Sequence, residues 1–150
     1  MPAFSVTTEG EEALTTSLET VLQLRGSTAV IAKIWAWGVG FDGTSSSAEP
    51  VRVRLLRQTT DGTATAATEV QITDPEGPAA NCASFHTFTA EPTPGDVIWE
   101  GHIHPQGGRI DFMYPPGREV GLADAATSRV AIDVLAPAAV NVTGYIHWDE

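Results

Sequence analysis

The sequence has little of several features that define common protein classes. It contains one cysteine, Cys82, so no internal disulfide can form, and no apolar run approaches the roughly 20 residues needed to cross a bilayer. The amino-terminal segment lacks the basic start and the apolar centre of a signal peptide. We therefore expect a protein that is synthesised and folded in a cytosol and that has no membrane partner.

Basic residues are also scarce. Eight Lys and Arg residues stand against 19 Asp and Glu residues, which gives a formal net charge of −11. Because such a chain repels phosphate backbones, we expect no nucleic-acid partner. Two of the few basic residues, Arg52 and Arg54, would share one face of a strand. That face is interpreted either as solvated or acid-paired, or as a docking surface for an acidic partner.

Signatures of catalysis are missing as well. The chain has no GxSxG elbow, no Walker loop and no GxGxxG fingerprint. Cys82 has His86 four residues further on, but the sequence supplies no third group to orient such a pair. We expect a protein that is not an enzyme and that uses no cofactor.

One short pattern is typical of a metal site. In a strand, His102 and His104 would share a face with Glu100, as the HxH pair of a cupin does. A cupin also requires a Glu shortly after this pair and a later His, whereas the next Glu here is Glu119 and the late histidine, His147, is close to the end of the chain. We therefore predict no metal site and keep His102 and His104 as the candidate ligands.

The chain does contain a sequence pattern typical of β-strands. Apolar residues recur with period two, and turn signals such as DGTSSS, DPEGP and HPQGG recur at the spacing of sandwiches and barrels. This predicts an all-β, single-domain antiparallel β-sandwich over residues 1–150, with residues 1–20 as an arm or loop and with a loop or single turn at 9–19. The predicted strands are Phe4–Thr8, Thr20–Arg25, Ala29–Phe41, Val51–Gln58, Thr63–Ile72, Ala83–Thr89, Val97–His104, Arg109–Tyr114, Glu119–Leu122, Ser128–Leu135 and Val140–Trp148.

The strand that ends at Phe41 has two different faces by strict alternation. Its odd positions are bulky and include Trp35 and Trp37, while its even positions are small and include Gly38 and Gly40. The two tryptophans are interpreted as core or interface residues, since large aromatic side chains dominate both. We expect subunit packing on the small face.

Four stretches together resemble small virion proteins of tailed bacteriophages. They are KIWAWGVGFDGTSSSAEPVRVRLL, EPTPGD, HPQGGRIDFMYPPGREVG and AAVNVTGYIHWDE, and the resemblance covers most of the chain from residue 29 to residue 150. It implies a jelly-roll-like sandwich that serves as a capsid decoration (cement) protein on the exterior of the virion head. It also implies a homotrimer with the major capsid protein as partner. The candidate interface residues are Trp35, Trp37, Arg52, Arg54, Tyr114 and Trp148.

Two other functions fit the same pattern. A phage tail or fibre component with a carbohydrate-binding β-sandwich would expose aromatic side chains in a groove, and Tyr114 and Trp148 are the candidates for that role. A cupin-like metal-binding protein is the third hypothesis, and it depends on His102 and His104.

Overall fold

The computed structural model describes residues 1–45 and 48–150, so Ser46 and Ser47 of the predicted DGTSSS turn lie outside the described residues. Within the described ranges the chain forms 13 β-strands and no helix. In chain order the strands are β1 (Ala3–Thr7), β2 (Glu12–Leu14), β3 (Leu18–Arg25), β4 (Ala32–Phe41), β5 (Val51–Gln58), β6 (Thr63–Ala66), β7 (Val70–Gln71), β8 (Ala83–Ala90), β9 (Pro94–Ile103), β10 (Arg109–Met113), β11 (Val120–Leu122), β12 (Arg129–Leu135) and β13 (Val140–Asp149).

The strands form two antiparallel sheets that pack face to face. Sheet 1 has the order β10-β4-β13-β1-β7, with β11 on β4 and β2 on β13, and sheet 2 has the order β6-β8-β3-β12-β5-β9. When β2, β11 and the strands of the β5–β9 connection (β6, β7 and β8) are set aside, the two sheets have the strand orders β1-β13-β4-β10 and β3-β12-β5-β9. Along the chain these eight strands alternate between the sheets except from β5 to β9, which is jelly-roll topology. The predicted jelly-roll-like sandwich is confirmed.

The core lies between the two sheets. Alternate residues of the central strands point inward, so β5 contributes Val51, Val53 and Leu55 while its intervening residues face outward. The largest fully buried side chains are Trp37 and Trp148. Large aromatic groups contribute much of the apolar area that the sandwich buries.

The connection from β5 to β9 is an insertion that reaches the far side of the sandwich. Within residues 59–93, β8 pairs with β3 and β6 pairs with β8, which extends sheet 2, while β7 pairs with β1 and extends sheet 1. The prediction of one strand over 63–72 is therefore wrong. The chain turns inward at Ala67, whose N–H donates to Ser84, so β6 and β7 belong to different sheets.

Residues 1–20 differ from the expected arm or loop. They contain β1 and β2, and both Phe4 and Val6 of β1 are buried in the core. The strand predicted at Phe4–Thr8 is confirmed, with bounds one residue earlier, whereas β2 was not predicted, because three residues are too few for a periodic signal. Across the described residues, no helix has the length and apolar character needed to cross a membrane.

Strict alternation fails in β4. His147 of β13 pairs with Ala36 and Trp148 pairs with Ile34, so Trp35 is an extra residue in a β-bulge. Ile34 and Trp37 therefore both face the core, and Trp35 lies on the outer face of sheet 1. The predicted division of this strand into one bulky and one small face is wrong for that reason.

Candidate functional site

One edge of the sandwich is left open by the strand pairing. Among the described residues, β9 pairs only with β5 and β10 pairs only with β4, so both strands have a free side. The opposite edge ends in short strands, β6 and β7, and very short edge strands are one way in which proteins block unwanted pairing. We call β9 and β10, with their side chains, the open edge.

The open edge exposes apolar side chains among charged ones. Val97 and Ile98 of β9 are 46% and 36% exposed, and Met113 of β10 is 70% exposed. On the other side of the molecule, Val70 and Ile72 are also exposed. The open edge differs because a half-buried aromatic cluster lies behind its exposed side chains.

This cluster joins the two sheets. The ring of Trp37 packs edge-on against Trp99 of β9, with ring centroids 5.2 Å apart, and is stacked with Phe112 of β10 at 6.2 Å. Phe112 in turn contacts Tyr114 at 4.8 Å. Burial raises the pKa of Tyr114, so its phenol is neutral at physiological pH. These contacts pack Trp99 of β9 and Phe112 of β10 against the core and so connect the open edge to it.

Backbone pairing at this edge is restricted along half of β9. The register between β5 and β9 shifts between Leu55 and Leu56, and again between Leu56 and Gln58, so β9 is bulged on either side of Val97. Bulges twist an edge strand away from a second chain. The open edge is therefore better suited to contacts through side chains than to a continuous intermolecular sheet.

A second group of side chains covers the outer face of sheet 1. The hydroxyl of Tyr145 donates to Asp111 Oδ1 at 2.9 Å, and Asp111 accepts two hydrogen bonds from Arg109, at 2.6 and 2.8 Å. The Arg109 guanidinium lowers the pKa of Asp111, while burial and the bond to Asp111 raise the pKa of Tyr145 to about 12. A Cβ at Gly38 would lie 2.5 Å from the Tyr145 ring, so only glycine allows this ring to cross β4.

The predicted interface tryptophan Trp35 lies on the same face. Its indole N–H donates to Asp149 at 3.1 Å, and its ring is 5.0 Å from the ring of His147. His147 is also 4.7 Å from Tyr145, so three rings form a stripe along sheet 1. Burial lowers the pKa of His147, which favours the neutral imidazole.

The two predicted arginines, Arg52 and Arg54, have different surroundings on the outer face of sheet 2. Both face outward, as alternation requires, but Arg54 donates from Nε and Nη2 to the Asp133 carboxylate at 2.8 and 2.5 Å. Arg52 forms no ion pair with any described residue, and its Nε is buried without a hydrogen-bond acceptor in the same part of the chain. Of these two arginines, Arg52 is therefore the one whose guanidinium has no carboxylate partner among the described residues.

Two of the predicted interface residues are not at the surface. Trp37 and Trp148 are completely buried within the monomer, and Trp148 stacks on Phe4 at 5.7 Å. Their assignment to an interface, and that of Trp148 to an exposed groove, is corrected here. Val97, Ile98 and Met113 were missed because nothing in a single strand's pattern indicates that it lies at the edge of a sheet.

The candidate metal ligands do not converge. His102 lies opposite Arg52 in sheet 2, whereas His104 follows the end of β9 and its Nδ1 accepts from the N–H of Gln106 at 3.0 Å. His147, the late histidine of the cupin comparison, is in sheet 1. Over residues 1–45 and 48–150, no group of three or more His, Cys, Asp or Glu residues is arranged to hold a metal ion.

Cys82 is buried beside the last residue of the chain. Its N–H and that of Asn81 donate to the Glu150 carboxylate. Burial, together with this carboxylate, raises the pKa of the thiol to about 12. Because the thiolate is the reactive form, Cys82 is a poor nucleophile at neutral pH.

The fold and this site define a jelly-roll β-sandwich with one open apolar edge. No protein-family model matches the chain, and no curated protein matches it. The chain has weak structural neighbours. They include the VP2 subviral particle of infectious bursal disease virus, with a TM-score of 0.21 and 11% identity over 97% of this chain and 40% of that one.

A structure of the Gx strain of the same virus gives a TM-score of 0.16 and 12% identity over 97% of this chain and 38% of that one. The chain thus spans about 40% of the length of the first of these capsid chains. Similarity at this level carries no inference about function, which is argued below from the residues themselves.

Proposed function

We propose that the protein is a bacteriophage capsid decoration protein, which binds the exterior of the head through its open edge, stabilises the shell and catalyses no reaction. The observation that carries this proposal is the pairing of β9 and β10 on one side only, with Val97 and Ile98 of β9 and Met113 of β10 exposed among charged side chains. The sequence resemblance to tailed-phage virion proteins supports the same role, and so does the jelly-roll topology.

An exposed apolar edge requires a partner. Soluble proteins protect long edge strands with charges, prolines, bulges or a covering element, and an apolar edge that remains exposed is a site of association. In β9 the bulges restrict backbone pairing but leave Val97 and Ile98 in solvent. A specific protein surface that covers these side chains would remove apolar area from water and so stabilise the complex.

The charge of the chain suits this role. A net charge of −11 keeps the free protein soluble and prevents it from binding the packaged or released nucleic acid. We propose the major capsid protein as the partner and a homotrimer as the functional form. Closed cyclic symmetry would let one trimer bind several shell subunits at once, and linked contacts strengthen one another without any single strong contact.

Heat-induced release of DNA tests this function. Binding to the assembled shell, but not to the dissociated one, stabilises the shell by mass action, so heads that lack the protein should release DNA at a lower temperature. Purified protein added back should restore the temperature of the complete particle. Unchanged head stability combined with a loss of adsorption to cells would contradict the proposal.

That contradicting result would favour the tail component. A shallow groove of about 210 Å³ crosses the outer face of sheet 1, lined by Thr7, Gly40, Arg109, Thr143 and Tyr145 among others. Small-molecule sites combine aromatic side chains with a few hydroxyl groups that orient the ligand, and we propose a carbohydrate as the ligand of such a tail component. The two functions differ in location, since a decoration protein coats the head and a tail component is confined to the tail.

A further inference from the structure

A cleft at one end of the sandwich contains the unneutralised arginine. It has a volume of about 410 Å³ and lies where β5 begins and β12 ends. Arg52, His102 and Thr16 supply its polar groups, and Leu135, Ala136 and Pro137 form an apolar wall. Among the described residues that line it, none is Asp or Glu.

The cross-strand neighbours explain why Arg52 has no partner inside the molecule. Arg54 lies between Asp133 of β12 and Glu100 of β9, so acids flank it on both sides. Two residues earlier on the same face, Arg52 lies between Leu135 and His102. The positions that supply carboxylates to Arg54 are therefore occupied by non-acidic residues at Arg52.

We propose that this cleft binds a carboxylate, carried by an Asp or Glu side chain of a partner protein. The planar guanidinium matches the two oxygens of a carboxylate, and Arg52 has neither a hydrogen-bond acceptor nor an ion-pair partner among the described residues. Because its Nε is buried, its terminal nitrogens are the donors open to a carboxylate in the cleft. The apolar wall would take the aliphatic part of the same side chain or an apolar neighbour.

The overall charge determines which anion the cleft favours. A net charge of −11 opposes a dianion such as phosphate, and the nucleic-acid backbone, more than it opposes a single carboxylate. The cleft offers the same groups to a carboxylate whether or not the partner is a phage shell.

The test uses the full chain, ¹⁵N-labelled, and follows the side-chain Nε–H signal of Arg52 by NMR. The probes are two peptides, N-acetyl-Leu-Glu-amide and N-acetyl-Leu-Gln-amide, which differ only in the carboxylate. We expect the Glu peptide to shift the Arg52 signal saturably and to bind at least about tenfold more tightly than the Gln peptide, since charge-assisted hydrogen bonds are roughly twice as strong as neutral ones.

Two variants with the same change in net charge complete the design. Arg52→Gln should remove binding of the Glu peptide, while Arg118→Gln should leave it unchanged, because Arg118 lies in the loop between β10 and β11. The backbone amide spectrum of each variant tests whether it is folded. If Arg52→Gln does not fold, Arg52→Lys replaces it in the comparison. Equal affinity for the two peptides, loss of binding in Arg118→Gln, or tighter binding of inorganic phosphate than of the Glu peptide would overturn the proposal.

Discussion

At the scale of single residues, the ion pair between Arg54 and Asp133 shows how far the sequence can be interpreted. Strand alternation placed Arg54 on an outer face, and one interpretation of that face was that its arginines pair with acids. For Arg54 this is confirmed, because its guanidinium donates to Asp133. The identity of the partner could not be predicted, because Asp133 is 79 residues away and is brought opposite Arg54 by the pairing of β5 with β12.

Changing Asp133 to Asn should destabilise the protein strongly. Asp133 is 1% exposed and the Arg54 side chain is 14% exposed, so the variant would leave the Arg54 guanidinium beside a neutral group, with the exposed Glu100 of β9 as its remaining acidic neighbour. Removing one partner of a buried ion pair typically costs about 3–5 kcal/mol of unfolding free energy. Urea denaturation at neutral pH measures the change.

The matched control replaces both partners, as Arg54→Met with Asp133→Leu. Because no charge then remains uncompensated, this double variant should recover most of the loss. A loss below about 1 kcal/mol in Asp133→Asn would mean that the pair behaves as a solvent-exposed salt bridge, contrary to its burial.

At the scale of elements, the period-two pattern of apolar residues predicted the bounds of most strands to within a few residues. It did not always predict which residues of a strand face the core. The strand Val51–Gln58 has the bounds that its pattern predicted. In β4 the bulge at Trp35 reversed the face of every earlier residue, and a bulge arises from the pairing with β13, which a single strand does not encode.

The insertion over residues 59–93 should open more readily than the central strands. Strand β7 has two residues and pairs only with β1, whereas β12 is paired on both sides and is almost entirely buried. Local opening follows such differences in pairing and burial, so the β7 amides should exchange with solvent on the order of 100-fold faster than those of β12. Hydrogen exchange followed by NMR measures both sets in one sample.

The β3 strand serves as the internal reference, since it is also paired on both sides and belongs to the same sheet as β12. Its amides should exchange as slowly as those of β12. Equal rates in β7 and β12 would show that the insertion unfolds only together with the core, which would contradict its description as a separable addition to the jelly roll.

At the scale of the whole molecule, the two edges of the sandwich are built differently. One edge ends in the short strands of the insertion, and the other ends in the ten residues of β9 and the five of β10. The sandwich class follows from strand pattern and turn spacing. Which strands end the sheets depends on pairing between distant segments, so neither the open edge nor its aromatic cluster could be predicted from the sequence.

Binding of edge variants to phage heads that lack the protein tests the central claim most directly. Val97→Lys places a charge on the open edge, and Val70→Lys places the same charge on the opposite edge, where Val70 is 58% exposed. Circular dichroism confirms that both variants are folded, and the copies bound per head are counted from gel densitometry and located by electron cryomicroscopy. If the open edge binds the shell, Val70→Lys should bind as the wild type does, and Val97→Lys should bind at least about tenfold more weakly, since a buried unpaired charge opposes association. Equal binding of the two variants, or copies found on the tail and absent from the head, would contradict the account.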